Sequence, residues 1–255
     1  MNKNNQRFFE LLWAMTDKEL RTRYKYTFLG FLWLVIIPLL QMLIIGFVFT
    51  FFMKQPVKNY YYYLFVGLLV WNFFATSLTK ATPSIVFERT LIKKSKFPRL
   101  VIPLSIITSN LINLVLAMLI FFVPVLLLGT LIPASLYLIP VALLLLIIFT
   151  TGICLLTSAL DVRFRDVNFF VQALLIVWFY ATPIVYMLSS VPYKYYWLWR
   201  INPMTSIIQL FQYAFLNAPP PGIGMITINA SINVVIFTLG VFIFRKESDN
   251  FDDWV

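Results

Sequence analysis

Long apolar stretches without a single charge alternate with short charged segments, and this alternation lays out the chain. No Asp, Glu, Lys or Arg occurs from Tyr26 to Met53, Asn59 to Thr79, Leu100 to Leu160, Val167 to Tyr193 or Ile201 to Phe244. A bilayer core takes roughly 20 apolar residues per helix. The first two windows hold one span each, and the third, 61 residues long, holds two, divided near Leu131-Ile132-Pro133. The pattern predicts spans at about 31–53, 61–79, 100–130, 136–160, 167–187 and 223–244. Pro183 follows Thr182 and should bend the fifth.

Between the spans, periodicity marks three further pieces. Phe8, Leu12 and Met15 share one face at helical spacing, so the first residues read as an amphipathic helix in the membrane interface or as a solvated leader. Thr16-Asp17-Lys18-Glu19 is a capping-box pattern that would start a second short helix. Thr82-Pro83 suits a helix start, and Ser84 to Lys94 mixes apolar and charged residues as an amphipathic helix between spans two and three. That helix is either a lipid-headgroup anchor or a docking element for a cytoplasmic partner. Residues 203–217, rich in Ser, Thr and Gln and followed by Pro219-Pro220-Pro221-Gly222, are too short and polar for an ordinary span. They fit a re-entrant or interfacial helix. With no internal repeat, the expectation is one all-α polytopic membrane domain over residues 1–255.

Composition agrees: 61% hydrophobic residues, 12% charged and a mean hydropathy of +0.86 belong to the membrane class. Counting alternate segments puts 16 of the 20 Lys and Arg on the side that holds both termini, leaving Lys54, Lys58, Lys194 and Arg200 on the other. Positive-inside asymmetry makes the richer side cytoplasmic. The net charge of +10 then reads as topology and anionic-lipid contact, with no nucleic acid involved. The first apolar stretch is long enough to span and would itself direct insertion without a cleaved signal. The one cysteine, Cys154, lies mid-span and reads as a small buried residue.

The candidate chemistry is defined by what is missing. There is no histidine and no phosphate-binding Gly-Lys-Ser/Thr loop, so any ATP and magnesium belong to another chain, and no metal or cofactor is expected here. The spans carry no acid or base of the kind that couples proton or sodium flow. Asp161 with Asp166 and Asp252 with Asp253 are solvated loop charges or, less simply, carboxylates of a membrane glycan-synthesis enzyme. Aromatics form 18% of the chain and cluster in runs such as Tyr60-Tyr61-Tyr62-Tyr63 and Trp178-Phe179-Tyr180. An interfacial aromatic belt explains the outer-side runs, Tyr60 to Tyr63 and Tyr193 to Trp199, and other aromatics would offer faces on which sugars stack, for which Trp33, Tyr61, Trp71, Phe74, Trp178 and Tyr180 are the candidates.

Several stretches, in order, resemble one family. Residues 16–33 with Pro38-Leu39, then Leu91-Ile92-Lys93-Lys94-Ser95-Lys96-Phe97-Pro98-Arg99, then residues 161–167 leading to Ala181-Thr182-Pro183-Ile184, then Asn202-Pro203-Met204, are similar to ABC-2 type permeases that export O-antigen, capsule or teichoic acid. The resemblance covers essentially the whole chain. It implies a six-span half-transporter in the bacterial inner membrane that pairs with a second copy of itself and with two cytoplasmic ATPase subunits. Undecaprenyl-pyrophosphate-linked polysaccharide would pass through the dimer interface. Carried over to this chain, Ser84, Ile85, Val86, Phe87, Glu88, Arg89, Leu91 and Lys94 would couple to the ATPase, and Arg21, Arg23 and Lys25 would meet the lipid pyrophosphate. A permease for another lipid or a drug would share most of these features.

Overall fold

The computed structural model describes residues 3–53, 59–95, 97–127, 135–216 and 218–251. Lys54, Lys58, Lys96, Asn217, Asp252, Asp253, Trp254 and the predicted division at Leu131-Ile132-Pro133 lie outside them. All regular structure among the described residues is helical. The chain opens with α1 (Lys3–Tyr24), and a 3-10 turn at Gly30–Leu32 leads into α2 (Trp33–Met53). Next come α3 (Tyr60–Ala81), the short α4 (Ser84–Phe87) and α5 (Arg89–Lys94), and α6 (Val101–Leu127). Then follow α7 (Ile139–Arg163), α8 (Asp166–Tyr180), α9 (Tyr196–Arg200), α10 (Pro203–Leu216) and α11 (Ile223–Ser248).

Among the described residues, five helical stretches are long and apolar enough to cross a membrane: Gly30–Phe51, Tyr60–Ala81, Val101–Val123, Leu136–Arg163 and Ile223–Ser248. The predicted span at 167–187 is different. Its helix, α8, has 15 residues and stops at Tyr180, so at 1.5 Å per residue it covers only about 22 Å. Pro183 does not bend it. The residue before a proline disfavours the helical region, and the chain turns at Ala181-Thr182-Pro183 before two 3-10 turns.

Two other expectations change. Thr16 does not start a new helix, because its hydroxyl donates back to the Leu12 carbonyl at 2.7 Å and α1 runs through without interruption. The amphipathic segment 84–94 is two helices joined at Glu88, whose φ of −90° and ψ of 20° leave the helical region. The side chain of Glu88 bonds Lys18 of α1 at 2.6 Å and holds that corner in place.

α3 is the most enclosed of the long helices, lying against α2, α6, α7, α8 and α10. α10 is buried along its length, with only Tyr213 and Leu216 partly exposed, although it covers about 21 Å. α7 and α11 make the broadest pairing, through Gly152 and Gly240: a Cβ at Gly152 would lie 2.7 Å from the Phe237 backbone. At one end, Met15, Ile85, Ile92, Val101, Ile102, Leu155, Val162, Phe244 and Phe251 form a second core that joins α1, α4 and α5 to the ends of α6, α7 and α11.

Candidate functional site

Three features have the geometry of function: the α4–α5 elbow, a cavity beside α1, and a hydrogen-bonded corner after α8. In the elbow, Ser84 and Ile85 are buried, Ser84 donating to the Ala81 carbonyl at 2.7 Å, while Val86 and Leu91 are half-buried. Arg89 and Lys94 face outward. Phe87 is 76% exposed at the apex although the segment beneath it is tightly packed. A large aromatic held out from a fixed base is the anchor geometry of a docking surface.

The basic trio near the end of α1 is not brought together. Arg21 turns to Asp17 at 2.6 Å, and Lys25 lies over the ring of Tyr26 at 5.0 Å. Arg23 alone points inward, its Nη2 donating to Asn110 Oδ1 at 2.6 Å, and Asn110 donates on to Ser77 at 3.0 Å. Tyr24 donates to Asn113 at 3.1 Å. Burial pushes the Tyr24 phenol up against the opposing pull of Arg23, so it stays a neutral donor. These groups line a cavity of about 580 Å³ among α1, α2, α3 and α6, which Lys80, Gln41, Asn72 and Trp33 also face. Lys80 and Asn113 carry no local sequence signal for this site, because the other groups that line it lie far away in the chain; only the fold sets them beside Arg23.

The aromatic candidates divide as well. Phe74 is fully buried between Phe149 at 5.4 Å and Trp178 at 5.3 Å, and Trp71 packs on Phe74 and Phe179. Those two rings are core packing and present no face to a sugar. Trp178 is half-buried and committed through its indole N–H to Asn202 Oδ1 at 2.9 Å. Trp33, Tyr61 and Tyr180 keep exposed faces, Tyr61 lying across Gly46 of α2. The tyrosine run is not a belt throughout. Tyr60 and Tyr63 are buried, donating to Val185 O at 2.8 Å and Tyr186 O at 3.3 Å.

Those two bonds belong to the corner after α8. Asn202 holds it: Oδ1 also accepts the Met204 N–H at 3.1 Å, and Nδ2 donates to Thr182 Oγ1 at 3.0 Å and Ala181 O at 3.2 Å. Ala181-Thr182-Pro183-Ile184 and Asn202-Pro203-Met204, separate stretches of the sequence, are therefore one joint.

The described residues thus define a helical membrane chain with an exposed elbow between its second and third membrane-crossing stretches, and its family match makes it a transport subunit in class. The family is explicit: residues 10–216 match the ABC-2 type transporter family, and the chain belongs to it. It is 33% identical over 243 residues to the O-antigen export system permease protein RfbA of Myxococcus xanthus, covering 94% of each chain. To a protein of the same name from Klebsiella pneumoniae it is 33% identical over 247 residues, covering 96% of this chain and 95% of the relative.

Proposed function

We propose that this chain is the membrane half of an ATP-driven exporter that moves undecaprenyl-pyrophosphate-linked O-antigen-type polysaccharide across the bacterial inner membrane. Two copies form the passage, and each receives one ATPase subunit on the cytoplasmic side, where both termini lie. The O-antigen assignment follows the names of relatives matching nearly the full chain.

One observation carries the coupling half of this reading: Phe87 stands out at the apex of an elbow braced by Lys18–Glu88 and by the buried Ile85. The ATPase takes Phe87 into an apolar pocket, with Arg89 and Lys94 at its rim. Arg21 and Lys25, both exposed, face the approaching lipid pyrophosphate, and Trp33, Tyr61 and Tyr180 are the aromatic faces open to glycan.

The test is reconstitution with the cognate ATPase. The permease should stimulate ATP hydrolysis, and Phe87→Asp should abolish that stimulation with the permease still folded. Stimulation unchanged by Phe87→Asp would end the coupling assignment. In cells, deletion should leave undecaprenyl-linked glycan on the cytoplasmic face; normal glycan export after deletion would favour another lipid or a drug as cargo.

A further inference from the structure

The elbow cannot stand by itself. α4 and α5 have four and six residues, too few to sustain a helix without tertiary support. Ile92 is the buried side chain of α5, so the seating of that helix depends on the core it enters. The backbone bonds of α5 are local, Leu91 and Ile92 N–H donating to Glu88 O at 2.9 and 3.0 Å and Ser95 N–H to Leu91 O at 3.1 Å. The Lys18–Glu88 pair braces the corner between α4 and α5 and leaves the exit from α5 to other groups.

A residue distant in the chain meets that exit. Beyond α11 the backbone keeps helical dihedrals at Asp249 (φ −70°, ψ −26°), and Asn250 N–H donates to Glu247 O at 3.0 Å. Phe251 therefore follows Phe244 by about two turns on the same face. Its ring meets Phe244 edge to face, with centroids 5.3 Å apart and planes at 83°, and the Arg99 guanidinium lies over it at 6.0 Å. Arg99 belongs to the connector that leads from α5 into α6. In the sequence Phe251 is flanked by Glu247, Ser248, Asp249 and Asn250 on one side and by Asp252 and Asp253 on the other. It is nevertheless only 1% exposed and shares the core of Ile85 and Ile92.

We propose that Phe251 is a positioning residue for coupling: it clasps the α5–α6 connector to the base of α11 and so keeps the elbow seated. The seating is a property of this chain alone, whereas its part in coupling rests on the reading that the ATPase pushes at Phe87. Without the ring, the connector loses its rest at Arg99, and the core shared with Ile92 gains a cavity. α5 then opens locally while the long helices stay packed.

Hydrogen–deuterium exchange of the full chain in micelles, read on residues 89–95, tests the seating. Phe251→Ala should speed exchange there about tenfold or more, within what truncating a buried phenylalanine produces, with residues 61–79 of α3 unchanged. Phe251→Val, a milder truncation, should speed it less and serves if the alanine variant does not fold. Phe122→Ala removes a ring of equal size from the main core, where it stacks on Phe215 at 4.0 Å, and should leave residues 89–95 within about twofold of wild type. Unchanged exchange in both Phe251 variants, or equal acceleration by Phe122→Ala, would overturn the proposal. The coupling arm uses the cognate ATPase. Phe251→Ala should bind it at the wild-type half-saturating concentration yet lose most of the maximal stimulation of ATP hydrolysis, a split that misfolding does not give. Full stimulation by a loosened Phe251→Ala, where Phe87→Asp abolishes it, would refute the coupling role of Phe251. Full stimulation by both variants would instead end the coupling reading and leave the seating to the exchange result.

Discussion

Replacing Gly152 by valine tests the contact on which the α7–α11 pairing depends. A Cβ there would lie 2.7 Å from the backbone N and Cα of Phe237, where ordinary contact begins at 3.4 Å, so the facing helix must retreat by at least the 0.7 Å difference. The obstacle is backbone, which cannot swing aside as a side chain can. Overpacking of this kind costs about 1–3 kcal/mol, and valine's further methyls place it near the upper end. Removing a glycine from a helix interior returns about 0.5 kcal/mol. The net expectation is about 2 kcal/mol of destabilisation, roughly a thirtyfold change in the folded-to-unfolded ratio. Association between helices in a bilayer relies on close packing without a hydrophobic driving force, so little compensates for the separation. Cys154, buried and the one cysteine of the chain, provides the assay: its labelling by a maleimide reports opening. Under denaturant titration in mixed micelles, Gly152→Val should label at lower denaturant than wild type. Gly224→Ala is the control, since its added Cβ would meet nothing closer than Arg200 Nη2 at 3.8 Å. That change should be neutral or stabilising by up to about 1 kcal/mol. If Gly152→Val protects Cys154 as well as wild type does, the close approach is refuted.

Three other outcomes are expected. Asn202→Ala removes an acceptor used by Trp178 and Met204 and a donor to Thr182 and Ala181, and should cost about 2–4 kcal/mol in thermal stability and reduce export; a midpoint unchanged from wild type would contradict the joint. Tyr60→Phe leaves the Val185 carbonyl without its 2.8 Å donor and should lower stability by about 1 kcal/mol, whereas Tyr61→Phe should do nothing measurable in the same melt. Asp161 accepts the Asn168 N–H at 3.1 Å across the α7–α8 turn, so Asp161→Asn should export normally and Asp161→Leu should not. Loss of export in a folded Asp161→Asn variant would show that its charge is needed.

What the sequence made legible follows from how local each signal is. Charge-free windows locate the long helices because hydrocarbon admits no alternative, and the exposed Phe87 elbow lies inside the segment that periodicity picked out. The capping box at Thr16 was misleading, because a threonine hydroxyl satisfies itself equally well on the carbonyl four residues back. Pro183 is a helix boundary and not a bend within a span, because the helix has already ended at Tyr180. Tyr60 and Tyr63 resembled interfacial anchors, but their hydroxyls are used on carbonyls more than a hundred residues away. Arg21 and Arg23 alternate in the last turn of α1 and Lys25 lies just past its end, and alternation on a helix sends neighbours in different directions. The cavity itself was invisible in the chain, since Arg23, Lys80 and Asn113 share no local pattern.

The Lys18–Glu88 bond and the core beneath it carry a mechanical consequence. Ile85 and Ile92 are wedged against the same cluster as Met15, Val101, Leu155 and Phe244, and well-packed interiors compress very little. A thrust delivered at Phe87 is thus not absorbed locally; it is shared at once among the footings of α1, α6, α7 and α11. Under the proposed coupling the elbow would work as the short arm of a crank, with Arg23, five residues along α1 from Lys18, on the same helix. A stroke at the aromatic tip would arrive at the charged cavity as a change in its width.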